Sequence, residues 1–153
     1  MIPYFEKTNL ISKEDVTFLE GLCKSPEANF IAYDTISGKH DGNLCWDMDL
    51  PYFKRFNYEC YTMFVHQEAN AKVIEHTDNN KWNRNTVLIV PLFWHEEYAP
   101  CYFNDGIKVT HESPILFNTQ IPHYINNNEH PRYNFQICFA EPIEELHKCL
   151  INI

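Results

Sequence analysis

The run 74-IEHTDNN-80 sets an imidazole and a carboxylate two residues apart, at His76 and Asp78. In an extended strand, residues i and i+2 share a face, so Ile74, His76 and Asp78 are expected on one side and Val73, Glu75 and Thr77 on the other. Two such donors at a strand's end are two thirds of a 2-His-1-carboxylate set, whose open positions suit non-haem Fe(II). The set needs one more imidazole from another strand, and His123 is the candidate. A triplet of this kind is cheap to find by composition, and His66-Gln67-Glu68 and His95-Glu96-Glu97 are rivals to it. The 76–78 triplet is preferred because it ends a strand beginning at Ala71, with 58–66 before it as the expected hairpin partner. His66 and His95 are read as surface or loop-end imidazoles.

His123 opens the run 122-PHYINNNEHPRYNFQICF-139. Along 132–139, Arg132, Asn134, Gln136 and Cys138 alternate with Tyr133, Phe135, Ile137 and Phe139. The second set is an apolar face that packs outward. The first is a polar face carrying a guanidinium, and burying that charge costs several kcal/mol unless it is paired. A bound anion would pair it, and a dicarboxylate could do so bidentately.

The elements that must position these groups are mostly strands. Runs at 58–66, 71–76, 86–94, 100–104, 107–111, 114–118, 122–126 and 132–140 are rich in β-branched and aromatic residues and are separated by Asn, Asp, Gly and Pro. Eight short strands at close spacing imply a barrel or sandwich. Ile31-Ala32-Tyr33 and Leu44-Cys45-Trp46 are expected as edge strands before it. A helix over about 13–24 is marked by Ser12 as cap, Asp15 at the capping-box position and Val16, Leu19, Leu22 and Cys23 at helical spacing, ending at Ser25-Pro26. A second helix is expected within 141–153, with Pro142 near its start and Ile143, Leu146 and Leu150 as its apolar side.

Composition narrows the classes. At 153 residues the chain is one domain, large enough to bury a core without a disulfide or structural metal. A net charge of −9 with no Lys/Arg stripe argues against a nucleic-acid partner. Four glycines and no glycine-rich phosphate loop argue against a nucleotide-binding fold. The six cysteines, at 23, 45, 60, 101, 138 and 149, form no C-x-x-C pair, and reduced thiols in a cytoplasmic protein are the expectation. No apolar run approaches the roughly 18 residues of a membrane span.

Taken together, His76-x-Asp78, Pro122-His123 forty-seven residues after His76, and Arg132 nine beyond His123 resemble the Fe(II)/2-oxoglutarate-dependent oxygenases, in particular their prolyl-hydroxylase-like branch. The resemblance spans about 58–140. It implies a mainly β fold, a double-stranded β-helix (a jelly-roll or cupin-like barrel) with the N-terminal helix packed on the sheet. It implies that His76, Asp78 and His123 hold Fe(II) and that Arg132 pairs with the distal carboxylate of the cosubstrate 2-oxoglutarate. The implied reaction is hydroxylation of a prolyl or other amino-acid side chain, in a peptide or a free amino acid, with release of succinate and CO2. Family members often lead into H-x-D with Y-x-x-G-x-x-Y/F. Here that region reads 67-QEANAKVIEH-76, with Gln67 near the Tyr position and Asn70 near the Gly. A further cosubstrate partner is therefore sought among Tyr61, Thr86 and Asn134, and Asn134 is preferred for sharing Arg132's face. Trp82 and Arg84 follow the H-x-D turn closely enough to line a substrate mouth.

Alternatives stay open. Asn118-Thr119 before His123 resembles the asparaginyl/aspartyl-hydroxylase branch, which usually lacks the Asp of H-x-D. A cupin-like module would hold a metal or ligand in the same barrel without oxygen chemistry. A metal-assisted hydrolase would need a general base that no motif here supplies. His40, His111, His130 and His147 have no partner pattern and read as solvated loop residues.

Overall fold

Why the aromatic and β-branched runs become strands is a matter of what their two faces bury. In the computed structural model, which describes residues 4–32, 42–78, 84–110 and 112–150, those runs are sorted into two antiparallel sheets. Along the described chain the elements are β1 (Phe5–Lys7), α1 (Lys13–Cys23), β2 (Ile31–Ala32), β3 (Asn43–Asp47), a 3-10 turn (Pro51–Lys54), β4 (Cys60–Gln67), β5 (Lys72–His76), β6 (Thr86–Leu92), β7 (Cys101–Phe103), β8 (Lys108–Val109), β9 (Ile115–Asn118), β10 (His123–Asn126), β11 (Arg132–Phe139) and α2 (Ile143–Leu150). The larger sheet runs β1-β9-β6-β11-β4-β3-β2 and the smaller β5-β10-β7-β8. This is the jelly-roll, double-stranded β-helix arrangement expected from the sequence. The eight expected strands form to within a residue or two at each end; of the two expected edge strands β2 is at the edge, while β3, carrying Leu44-Cys45-Trp46, lies one strand in, between β2 and β4, and Tyr33 lies outside the described residues.

Strand β6 is buried at every position, and its alternation explains why. Val87 and Ile89 enter the layer between the sheets, with Met63, Val65, Phe103, Ile115, Phe117, Ile125 and Cys138. Leu88, Val90 and Leu92 enter a second layer behind the larger sheet, with Phe135, Ile137 and Phe139 of β11, Leu19 and Cys23 of α1, and Ile143 and Leu146 of α2. A strand covered on both faces reads as a continuous apolar run. Helix α1 begins where expected: the Ser12 hydroxyl accepts from the Asp15 backbone N–H at 3.0 Å, and the Asp15 carboxylate accepts from the Ser12 N–H at 3.0 Å. Such a reciprocal cap contributes about 1 kcal/mol.

Two features depart from the sequence reading. Strand β1, three residues long and too short to show periodicity, pairs with β9 from Phe5↔Phe117 to Lys7↔Ile115. Strands β4 and β5 are not a hairpin. β4 pairs with β3 and β11, while β5 lies in the other sheet beside β10. Strand β4 carries Met63 and Val65 on one face and Phe64 on the other, so it needs cover on both sides and takes an interior place in the larger sheet. Among the described residues no helix is long and apolar enough to cross a membrane.

Candidate metal centre

Strands β5 and β10 run antiparallel with His123 opposite His76, which sets the two imidazoles side by side, ring centroids 4.6 Å apart. The register then shifts, so that Ile125 faces Val73 and β5 carries one residue more than β10 over the same span. This β-bulge reverses the facing expected upstream of His76. Val73 is buried between the sheets while Ile74 is 56% exposed, and His76 still points inward with its side chain 9% exposed. A simple strand would have put Ile74 in the core and Val73 in solvent.

Each imidazole is oriented by its own strand. His76 Nδ1 lies 2.7 Å from the Ile74 carbonyl oxygen and His123 Nδ1 lies 2.8 Å from the Ile121 carbonyl oxygen. A carbonyl can only accept, so both rings carry their proton on Nδ1 and turn Nε2 to the interior. The two Nε2 atoms stand 3.2 and 3.4 Å from the same oxygen, Asp78 Oδ1. All three donors lie within 4.8 Å of one another. This donor chemistry fits a divalent transition metal: two imidazoles whose outer nitrogens are held by backbone carbonyls, and one carboxylate oxygen.

The other carboxylate oxygen is occupied. Arg84 Nε donates to Asp78 Oδ2 at 2.9 Å, while its terminal nitrogens donate to Gln136 Oε1 at 2.8 Å, Cys138 Sγ at 3.0 Å and Met63 Sδ at 3.3 Å. Burial alone would raise the Asp78 carboxyl. The Arg84 guanidinium is the largest of the influences that overcome this and hold it well below the usual carboxylate range. Thr119, buried at a turn, ties down the chain on both sides: its carbonyl accepts from the Asp78 N–H at 3.0 Å, and its hydroxyl donates to the Arg84 carbonyl.

Farther along the inner face of the larger sheet lies Arg132, 4% exposed. It pairs across β4 with Gln67, which pairs in turn with Asn43 of β3, so the three share one row. Arg132 donates to the Ala99 carbonyl at 2.9 Å. Burial pulls its guanidinium down to about 10, with Cys101 and Tyr98 opposing. The Cys101 thiol, pushed up to about 12 by burial, is lowered by Arg132 and raised by Asp78, so both charges act on one interior. The carboxamide oxygens of Gln67 and Asn134 are buried there with no hydrogen-bond partner. Turning either amide over would present N–H groups instead, as an anion beside a guanidinium requires. The residues therefore fit a carboxylate ligand.

Comparison with known proteins agrees on architecture. No family model matches the sequence, and no curated protein does either. Solved structures match the fold. A prolyl-4-hydroxylase of Pseudomonas putida superposes with a TM-score of 0.66 at 12% identity, over 90% of this chain and 93% of that one. A Trichoplax adhaerens prolyl hydroxylase, solved with a peptide fragment of the hypoxia-inducible factor oxygen degradation domain, gives 0.67 at 14% over 89% and 83%. A 2OG-Fe(II) oxygenase family oxidoreductase of Burkholderia pseudomallei gives 0.58 at 6% over 90% and 85%. The fold is that of the prolyl-hydroxylase-like 2-oxoglutarate oxygenases.

Within this prolyl-hydroxylase-like fold, His76, Asp78 and His123 come together, and Arg132 and Asn134 share the inner face of β11. Tyr61 lies opposite Cys138, six residues along β11 from Arg132 or about 20 Å. Its phenol is raised by burial, with Cys138 and Arg84 as neighbours, so the structure sets it near the Arg84 end of the interior. Thr86 is buried with its hydroxyl donating to the Glu141 carbonyl at 2.8 Å. Arg84, expected at a substrate mouth, reaches Asp78, and Trp82 lies outside the described residues. Gln136 and Thr119 are positioning residues that the sequence reading did not single out for the metal centre. Gln136 was findable, since it alternates onto Arg132's face, whereas Thr119 was marked only within Asn118-Thr119 as a branch resemblance, with no signal that it would tie down Asp78 and Arg84.

Proposed function

We propose that this chain is an Fe(II)- and 2-oxoglutarate-dependent dioxygenase that hydroxylates an amino-acid side chain, a prolyl residue in a peptide or a free amino acid being the first candidate, and releases succinate and CO2. The observation that carries the reading is the donor set, two inward Nε2 atoms and one carboxylate oxygen at 3.2 and 3.4 Å, in a fold shared with prolyl hydroxylases. Fe(II) held by His76, Asp78 and His123 would supply the centre at which dioxygen is reduced, 2-oxoglutarate oxidatively decarboxylated and a substrate C–H bond hydroxylated.

The chain's own residues have separable tasks in that reaction. His76 and His123 would present Nε2 to the metal because the Ile74 and Ile121 carbonyls engage Nδ1 on the far side of each ring. Asp78 stays ionised and presents one oxygen because Arg84 binds the other. Arg132 would pair with the distal carboxylate of 2-oxoglutarate, a charge pair sheltered from water and therefore strong. Asn134 and Gln67 would complete that pocket through their amides. Phe103 and Phe117, with Phe117's ring 4.9 Å from His123, form an apolar wall that limits water at the donor set.

The test is anaerobic loading with Fe(II), followed by oxygen, 2-oxoglutarate and prolyl-containing peptides or free amino acids, with succinate as the readout. Succinate should form, and His76→Ala or Arg132→Ala should abolish it or raise the 2-oxoglutarate requirement. Metal binding that depends on His76, with no succinate under any condition, would leave a cupin-like binding module instead.

A further inference from the structure

Among the described residues a second group of metal-type donors converges away from the centre above: His95, Glu97 and His130, again with ligand atoms within 4.8 Å of one another. His95 and Glu97 belong to the connection between β6 and β7, and His130 to the connection between β10 and β11. The two imidazoles stack at 5.1 Å with their planes 22° apart. His130 Nε2 stands 2.9 Å from Glu97 Oε2 and 3.5 Å from Glu129 Oε1, so a second carboxylate is at hand. We propose that His95, Glu97 and His130 form a second metal site, selective for a borderline divalent cation such as Zn(II), that clips the β6–β7 and β10–β11 connections together.

The chemistry favours that class of ion. Imidazole nitrogens with one carboxylate oxygen suit Zn(II), Ni(II) or Cu(II), whereas Mg(II) and Ca(II) prefer oxygen ligands alone. Ligand bonds of about 2.0–2.2 Å put the donors of a tetrahedral ion about 3.3–3.6 Å apart, so the group must adjust, drawing in separations of up to 4.8 Å and opening the 2.9 Å pair of His130 Nε2 and Glu97 Oε2. It can, because the Glu97 side chain is 63% exposed and free to swing. The sacrifice is small: His95 Nδ1 accepts an exposed 3.1 Å hydrogen bond from the Glu97 N–H, which closure of the ring onto an ion would release. The connections are already aligned by Asn128 Nδ2 donating to the Glu97 carbonyl at 2.7 Å.

The position has a consequence. The β6–β7 connection carries Ala99, whose carbonyl holds Arg132, and the β10–β11 connection leads directly into Arg132. An ion at this site would stiffen both walls beside that guanidinium. The donor set also differs from the buried one in access, with Glu97 and His130 reachable from solvent where Asp78 and His123 are nearly covered.

Zn(II) titration with stoichiometry by elemental analysis, run beside thermal unfolding with and without Zn(II), tests this. His76→Ala silences the first site, and His95→Ala and His130→Ala remove exposed or half-exposed side chains that are no part of the core. The His76→Ala chain should still bind about one equivalent of Zn(II) and gain thermal stability from it, while Mg(II) gives neither effect. Adding His95→Ala or His130→Ala should remove that equivalent and that gain together. Zn(II) binding to the His76→Ala chain that survives both further substitutions, or no binding by the His76→Ala chain at all, overturns the proposal. If the first centre holds no metal, the unmodified chain binds one equivalent that is lost on His130→Ala and kept on His76→Ala. That outcome supports the second site independently of the oxygenase reading.

Discussion

Arg84→Met isolates what holds the Asp78 carboxylate in place. The substitution keeps an unbranched apolar stem but deletes the 2.9 Å bond to Asp78 Oδ2 and the 2.8 Å bond to Gln136 Oε1. The metal-facing atoms, Oδ1 and the two Nε2, are untouched. Losing a group that orients a ligand typically costs 10- to 100-fold in metal affinity, or about 1.4–2.8 kcal/mol. A pH signature should accompany it. With Arg84 present the carboxyl is held well below the usual range against the effect of burial, and without it burial dominates and the pKa climbs. Protons then compete with the metal at Asp78, so the affinity gap between variant and parent should widen as pH falls from 7 toward 5. Removing one partner of a buried ion pair costs about 3–5 kcal/mol of stability. Side chains here are 13% and 11% exposed, which puts the expected loss at the lower end. The assay is anaerobic Fe(II) titration of parent, Arg84→Met and Arg84→Lys at several pH values, with urea unfolding to confirm that each chain is folded. Arg84→Lys keeps the charge without the fork and should fall between the other two. A folded Arg84→Met chain that binds Fe(II) within about twofold of the parent at every pH would refute the reasoning.

Further outcomes follow from the same geometry. Thr119→Val keeps the shape but leaves the Arg84 carbonyl without its hydroxyl donor, and should lower stability by about 1–3 kcal/mol by urea unfolding while also weakening Fe(II) binding. Gly42→Ala would place a Cβ 2.8 Å from the Ala71 Cβ at a φ of +77°, so thermal unfolding should report a loss of about 2 kcal/mol or more. Leu19→Ala empties a fully buried position under α1 and should cost about 2–5 kcal/mol in denaturant titrations, with the metal affinity unchanged in the folded chain. His66 stacks on Tyr133 at 4.1 Å, and burial chiefly lowers its pKa. Its folded pKa is thus below the unfolded value of about 6.5, the unfolded chain binds the proton more tightly, and stability falls as pH drops below about 6.5. His66→Phe should flatten that part of the stability profile relative to the parent.

The strands were legible because their faces see different surroundings. Alternation along β11 separates Phe135, Ile137 and Phe139, which meet the helices, from Asn134, Gln136 and Cys138, which line the interior. The start of α1 was legible because a capping box is local chemistry. The donor triad was legible as spacing, with His76 and Asp78 two residues apart at a strand's end and His123 forty-seven residues after His76 on another strand. What escaped the sequence depends on pairing partners far along the chain. The placement of β4 and β5 in different sheets follows from which faces need cover. The burial of Val73 in place of Ile74 follows from a register shift against β10. The turning of Arg84 inward follows from acceptors contributed by Asp78 and by Gln136 of β11. The convergence of His95 with His130 joins connections thirty-five residues apart, each of which looks like an ordinary polar loop when read alone.

The extra residue in β5 lets Val73 and His76, three positions apart, face the same interior. Excising either Ile74 or Glu75 would set them two apart, the spacing that shares a face in a regular strand, so the ladder with β10 would become smoother and the imidazole would keep its inward aim. Excising both would make them neighbours on opposite faces, and with Val73 in the core His76 would turn to the outside. Length changes in β5 are therefore constrained by counting as much as by chemistry: one residue can be lost together with the bulge, and a pair cannot.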